Sequence, residues 1–383
     1  MPRRIDHPIL AALLALTLSA CTADLVGGAF AAASDYELKL AEYERLHGAY
    51  EREANAYWDA VAEKRKIRNA KRRAHEAVRL DDYVLTQPPI YSGPPKPIDP
   101  NAPPQPPIER PEIPVVADFL AAAAQEWHFV PERPQSEAEF KRAYALAARA
   151  AGLTQAQIVG VYAFETGGRG FYDTQAGLEP PGPGKHAVSP ALGYNQLLST
   201  NTVSLFAESG TRFIAALERK AATLSGEARR RFDKKLAVIK RMIAYCRSLP
   251  HSWRDYDEIA KNTAKGWGIH AAVLDIDVGP LLQVQKLLDS VQFARTKGYT
   301  APLTAAELEL MNLTGDGNGI DMVMMPQTLR EQVPTANFFQ PQGYARNPVA
   351  RRTKVVAGLI AEIQQHMTRN AGTPGARELA AAF

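Results

Sequence analysis

Twelve of the 28 residues from 87 to 114 are proline, and nothing else in the chain limits its fold so sharply. Each proline lacks an N–H and holds φ near about −65°, so a segment this rich in it continues neither a helix nor a central strand. The reading is an extended, semi-rigid linker over 87–114, rising about 3.1 Å per residue in a polyproline conformation. It divides the 383 residues into a shorter charged part and a long remainder that begins near Val115.

In the charged part, 34–86, Tyr36, Tyr43, Tyr50 and Tyr57 recur every seven residues, and Leu40, His47, Ala54 and Val61 follow four residues behind each. Heptad spacing places these side chains on one helical seam, the pattern of a coiled coil or of a helix docked on a partner. The expectation is a charged heptad helix that self-associates or meets a protein partner. Its end, Lys64 to His75, is dense in Lys and Arg. That run reads as a solvated face or as a contact for anionic surface polymers.

At the N-terminus, Arg3 and Arg4 precede an apolar run from Ile9 to Leu18 that ends in Ser19, Ala20 and Cys21. A basic start, a short apolar core and a small-residue ending mark a signal peptide over 1–20, too short for an ordinary membrane span. Leu18-Ser19-Ala20-Cys21 resembles the bacterial lipobox. The resemblance implies cleavage before Cys21, lipidation of Cys21, and an anchor and spacer over 21–33. Thr22 stands where an Asp would signal inner-membrane retention, which implies the periplasmic face of the outer membrane. With Cys21 acylated, Cys246 has no partner in the chain, so no disulfide is expected. The formal net charge of +4 does not mark a nucleic-acid binder.

The long remainder is helical by pattern. Thr154 with Gln157, Ser136 with Glu139, and Thr304 with Glu307 each have capping-box spacing. Residues 211–249, 281–297 and 351–366 read as amphipathic helices, and alternating strand patterns are scarce. The expected fold class is mainly α, with a small irregular or β portion between Gly168 and Leu192, over 115–370. Residues 371–383 read as a flexible tail.

One helix carries an oddity. From Thr154 its apolar stripe runs Ile158, Val161, Tyr162, and the next position on that stripe is Glu165, with Gly167 and Gly168 placed to end the helix. Burial and the negative end of the helix dipole both favour a protonated carboxyl there. Delivering a proton to the leaving oxygen of a glycosidic bond needs such an acid near neutral pH.

The order of short motifs then matters: Glu165 to Gly168, Ala191 to Leu198 with Gly193, Tyr194 and Gln196, Leu310 to Gly315 with Asn312, and Gly343 to Asn347 with Tyr344. In this order they resemble the lysozyme superfamily, in its soluble lytic transglycosylase and goose-type lysozyme branch. The resemblance implies a lysozyme-like helical domain that cleaves peptidoglycan between N-acetylmuramic acid and N-acetylglucosamine, with a single catalytic Glu165. It implies that Gly193 lets a glycan approach the backbone, that Tyr194 lines the groove, that Gln196 bonds sugar or steadies the loop, that Asn312 orients substrate, and that Tyr344 lies near Glu165. The alternative is a non-catalytic lysozyme-like lipoprotein that binds peptidoglycan or scaffolds the envelope. A two-carboxylate hydrolase needs a second acid, for which Asp173 and Glu179 are the nearest in sequence.

Other signals point to structure. Asp316 to Asp321 has oxygen ligands at short spacing but lacks the glycine and glutamate of a calcium loop, so a turn is expected. His75 to Arg79 is one histidine short of a zinc motif. Trp253, Trp267 and Tyr299 read as core residues, with stacking on sugar as the other reading. No cofactor or metal is expected.

Overall fold

The computed structural model describes residues 9–103, 112–178 and 186–383, with side chains in the first helix from Asp35 onward. The start of the expected signal peptide and the side chain of Cys21 lie outside the described residues, as does Glu179. The chain forms two compact units, Met1–Arg110 and Pro111–Phe383. Their boundary falls inside the proline-rich segment.

The first unit is built on one helix, α1 (Ile9–Arg73). Among the described residues, no helix is long and apolar enough to cross a membrane. The heptad seam is a real stripe: Tyr36, Leu40, Tyr43, His47, Tyr50 and Ala54 are half-buried, and Tyr57 and Val61 are buried. Its cover comes from the same chain. After a turn at Leu80–Asp82, the backbone runs back along α1. The Arg68 guanidinium donates to the Asp82 carbonyl at 2.9 Å and lies 4.5 Å over the Tyr83 ring. Next, the Tyr57 hydroxyl donates to the Thr86 carbonyl at 3.1 Å. The Tyr91 ring then meets Tyr50, His47 and Tyr43, at centroid distances of 5.5, 5.1 and 6.2 Å.

The lengths agree with this antiparallel course. The step from Thr86 to Tyr91, in extended chain at about 3.1 Å per residue, covers about 15 Å, and so does the helical step from Tyr57 back to His47 at about 1.5 Å per residue. The start of the segment expected as an extended, semi-rigid linker therefore lies along α1 as far as Tyr91. A proline-rich strand is pre-extended and low in entropy, and it docks on aromatic grooves of the kind these tyrosines form. The basic run is partly internal as well: Lys64 donates to the Asp81 carbonyl, and Lys71 pairs with the Asp82 carboxylate at 2.7 Å.

The second unit is mainly α. In order it contains α2 (Val116–Ala122), α3 (Glu137–Ala150), α4 (Gln155–Glu165), α5 (Ser199–Ala222), α6 (Gly226–Ser248), α7 (Trp253–Asn262), α8 (Ala264–His270), α9 (Gly279–Thr296), α10 (Ala305–Thr314), α11 (Asp316–Val323), α12 (Gln327–Arg330), α13 (Pro341–Arg346), α14 (Pro348–Thr353), α15 (Val356–Ala371) and α16 (Pro374–Ala381). Among the described residues the region from Gly168 to Leu192 is irregular, with isolated bridges joining Gln175 to Leu192 and Leu192 to Leu197.

Thr154 and Gln157 close a reciprocal capping box on α4, and Thr304 and Glu307 do so on α10. Ser136 caps α3, but Glu139 reaches past it to the backbone N–H of Gln135. The expected helical run 211–249 is two helices, α5 and α6, with Gly226 at φ 58° where the second begins. Likewise 351–366 divides between α14 and α15 at Lys354, φ 61°. Asp316 to Asp321 opens α11 rather than forming a turn.

The larger core packs α5 on α6 through Phe206, Phe213, Ile239, Met242 and Ile243, with the Cys246 thiol enclosed among them. Trp267 packs against this core, whereas Trp253 is 55% exposed. A smaller core surrounds α4, which α3, α10, α15 and α16 all touch. Gly160 makes that approach possible, since a Cβ there would lie 2.6 Å from the Ala305 Cβ. The expected tail 371–383 is instead the helix α16, with Ala376 and Leu379 buried. Glu378 pairs with the buried Lys141 at 2.6 Å and fastens the helix to α3.

Candidate functional site

Glu165 is the last residue of α4, and the chain beyond it is fixed tightly. The Thr166 hydroxyl donates back to the Tyr162 carbonyl at 2.7 Å, and Asn370 of α15 donates to the Ala163 carbonyl at 3.0 Å. Gly167 and Gly168 then turn the backbone at φ 62° and 68°. At Gly168 a side chain would also strike Thr373, whose hydroxyl donates to the Gly168 carbonyl at 2.6 Å. Two carbonyls of the helix end, those of Tyr162 and Ala163, thus have side-chain donors.

That carboxyl is half-buried and faces α10. Asn312 donates its side-chain N–H to Glu165 Oε1 at 2.7 Å. One turn earlier on the same helix stands Glu309, wholly buried and within hydrogen-bonding reach of Glu165. Neither carboxyl oxygen of Glu309 meets a donor in good geometry. Burial pushes the Glu165 carboxyl up to about 7, against the hydrogen bonds from Glu309 and Asn312 and the nearby Lys286 charge, which pull it down. Burial, together with the adjacent Glu165, drives Glu309 well above the ordinary carboxylate range.

Lys286 belongs to α9, one turn after Gln283, and Gln283 organises the glycine loop. Its side-chain carbonyl accepts from Asn195 N–H at 2.9 Å, while the Asn195 side chain accepts from the Tyr144 hydroxyl at 3.0 Å. Gly193, at φ 78°, sits where a Cβ would lie 1.9 Å from Gln283 Nε2. Its glycine serves internal packing, not approach of a ligand. Tyr194 is wholly buried, its hydroxyl donating to Glu137, so it does not line a groove. Gln196 donates to the carbonyls of Gly193 at 2.8 Å and Thr174 at 3.2 Å, which steadies the loop.

Of the residues singled out in sequence, the structure brings Glu165 and Asn312 together. Gly193, Tyr194 and Gln196 form a clamped loop on α9. Tyr344 is 8% exposed, set edge-on against Phe339 and bonded to Thr335, an interior position. Asp173 pairs with Arg133 and not with Glu165. Sequence reasoning missed Glu309. Leu308 and Leu310 flank Glu309, yet it lies on the arc of α10 that Ala306, Leu308, Leu310 and Met311 leave open, so its burial comes from packing and not from its own helix pattern.

Two cavities flank α4. One, of about 670 Å³, is lined by Lys141, Tyr162, Arg169, Phe171 and Glu378, and another, of about 630 Å³, by Gln157, Gly160, Leu303 and Met367. Glu165 lines neither of them. Among the described residues no cluster of His, Cys, Asp and Glu could hold a metal ion. What the site can do is move a proton at Glu165 near neutral pH with a second acid beside it. No protein-family model, no curated protein and no solved structure matches the chain.

Proposed function

We propose that the helical unit cleaves the glycan strands of peptidoglycan between N-acetylmuramic acid and N-acetylglucosamine, as a lytic transglycosylase with a lysozyme-like domain. The observation that carries this reading is Glu165 itself, a fixed, half-buried carboxyl at a helix end, raised to about 7 by burial and bonded by Asn312. Such a group is protonated often enough to act as an acid and ionised often enough to act as a base.

In the proposed reaction Glu165 gives its proton to the glycosidic oxygen as the bond from that oxygen to the anomeric carbon breaks. The sugar's own 6-hydroxyl then bonds to the anomeric carbon, and its proton passes to the Glu165 carboxylate. The product is a 1,6-anhydro end, and no water is consumed. Glu309, enclosed beside Glu165, is poorly placed to position a water across a sugar ring, which favours the internal hydroxyl. The lipobox resemblance at Cys21 completes the reading: a lipoprotein anchored on the periplasmic side of the outer membrane, acting on the adjacent wall.

The test is digestion of purified sacculi by the full-length protein and by Glu165→Gln, with released fragments weighed by mass spectrometry. Anhydro-muramyl ends from the parent alone are the expected result. Reducing ends would make it a hydrolase, and binding without release by both proteins would leave a non-catalytic wall-binding module.

A further inference from the structure

We infer that Glu309 is the proton-sharing partner of Glu165, a positioning residue that keeps its own proton and offers it as a hydrogen bond whenever Glu165 is ionised. Its role in turnover rests on the cleavage reading above; the shared proton itself does not.

The inference stands on placement. Glu309 and Asn312 are one turn apart on α10, so they share a face and both meet the end of α4. Glu309 is 0% exposed and its carboxyl oxygens meet no donor in good geometry, for the nearby Asn312 amide donates to Glu165. A bare carboxylate in that position would forfeit its hydration for nothing, and two carboxylates in contact cannot both be charged. One proton therefore has to lie between them. Of the two acids, only Glu165 reaches solvent, so only Glu165 can pass a proton to a substrate. Glu309, enclosed, is left to hold the proton that stays on the pair.

The surrounding charges do not supply an alternative. From α9 come Lys286, which acts on both acids, and Asp289, whose side chain accepts from Gln285. From α11 comes Asp316, which accepts from Ser290. On α15, His366 stacks edge-on against Phe164 at 5.1 Å, with Arg369 beside it. On α3 and α16, Lys141 is spent on Glu378. None of these donates to Glu309.

The consequence for the proposed reaction is specific. When Glu165 has protonated the leaving oxygen, its new carboxylate is met by the Asn312 N–H and the Glu309 O–H. When the 6-hydroxyl closes on the anomeric carbon, its proton returns to Glu165, and the proton of Glu309 has never left.

The experiment is a carbon-13 titration of the full-length protein labelled at Glu side-chain carboxyls, comparing the parent with Glu165→Gln, Glu309→Gln and Glu309→Leu. Difference spectra identify the two resonances. Glu309→Leu removes the donor and should raise the Glu165 midpoint by about one pH unit, since a hydrogen bond to a charged group carries roughly that much. Glu309→Gln keeps a donor and should leave the midpoint within about half a unit. On sacculi, the alkaline limb of kcat/KM should move with the midpoint, and kcat should fall about tenfold in the Leu variant with KM unchanged. A parent Glu309 that titrates in the ordinary carboxylate range, or a Glu165 midpoint that stays or drops in Glu309→Leu, overturns the inference. Should the midpoints move as expected while the parent leaves sacculi whole, the cleavage reading fails and the shared proton stands.

Discussion

Both units interrupt an apolar helix face with charged groups, and they treat the interruption in opposite ways. On α1 the seam runs from Tyr57 and Val61 into Lys64, Arg68 and Lys71, and each of these cations meets an acceptor on the returning turn, Asp81 or Asp82. Between α4 and α10, Glu165 meets Glu309, a second acid, and the pair has one firm donor in Asn312. Satisfied burial holds a fold together, whereas like charges forced into contact cost stability and tune a proton. The difference separates a structural clasp from a site.

The largest effect should come from the site. Glu165→Gln keeps the shape and removes the proton, so the proposed cleavage of sacculi should fall by about 10³-fold, read as released muropeptide per hour, with little change in melting temperature. A retained rate would move the chemistry elsewhere. Next in size is the clasp: Arg68→Ala takes away a buried cation that binds the Asp82 carbonyl and covers Tyr83, and should cost about 2–3 kcal/mol of local stability. Faster amide exchange along α1 near Tyr57 to Arg68 would report it, and an unchanged exchange rate would show that the return strand is not held there.

The opposite sign is expected at Glu309. Replacing a buried acid that lacks well-placed donors with an apolar residue of similar size removes a desolvation cost, so Glu309→Leu should stabilise the protein by about 1–2 kcal/mol. Calorimetry of the two proteins decides this. A loss of stability would mean that Glu309 is satisfied in a way the geometry does not reveal.

The two regions also differ in how much of them could be read in advance. The heptad tyrosines announced a buried seam, and the proline density announced an extended chain, yet neither pattern says that one lies on the other. Contact between Tyr91 and Tyr43 joins residues 48 apart in sequence, beyond any local periodicity. Glu165 was legible because a helix stripe, a capping box and two glycines converge on it. Glu309 was not, because its neighbour Glu307 accounts for the helix start and Glu309 resembles more of the same acidic turn. Only packing distinguishes them, with Glu309 wholly buried and Glu307 half-buried. The glycine loop shows the reverse: its motif places Gly193 and Tyr194 in a groove, whereas packing against Gln283 and Glu137 uses them internally.

Acidity should divide the two units further. Asp82 is held below its ordinary value because its hydrogen bonds to the Arg79 backbone and Lys71, with the charges of Lys71 and Lys64, outweigh burial. A depressed carboxyl contributes its stability above the unfolded value, and that contribution is lost as pH falls below about 4. Glu165, raised to about 7, binds its proton more tightly folded than unfolded, so its part of the second unit loses stability as pH rises from about 4.5 to 7. Between pH 7 and 5, amide protection should therefore grow around α4 and α10 and stay level along α1. Protection that falls at both places, or rises at both, would remove the contrast.

The smallest effect concerns the far end of the clasp. Tyr91 is half-buried, and its ring reaches three aromatic partners at the seam. Aromatic contacts of this kind carry about 0.5–1.5 kcal/mol each beyond the area they bury, and less where water reaches them. Tyr91→Ala should therefore loosen the strand by about 1 kcal/mol, seen as earlier proteolysis between residues 86 and 100, while the Arg68 anchor keeps the turn in place. Tyr91→Phe should behave as the parent, because the packing is by the ring and the hydroxyl only reaches the carbonyl of Pro94 on its own strand. If Phe proved as weak as Ala, the strand would be held by its own local turn and not by the aromatic seam, and the clasp would end at Thr86.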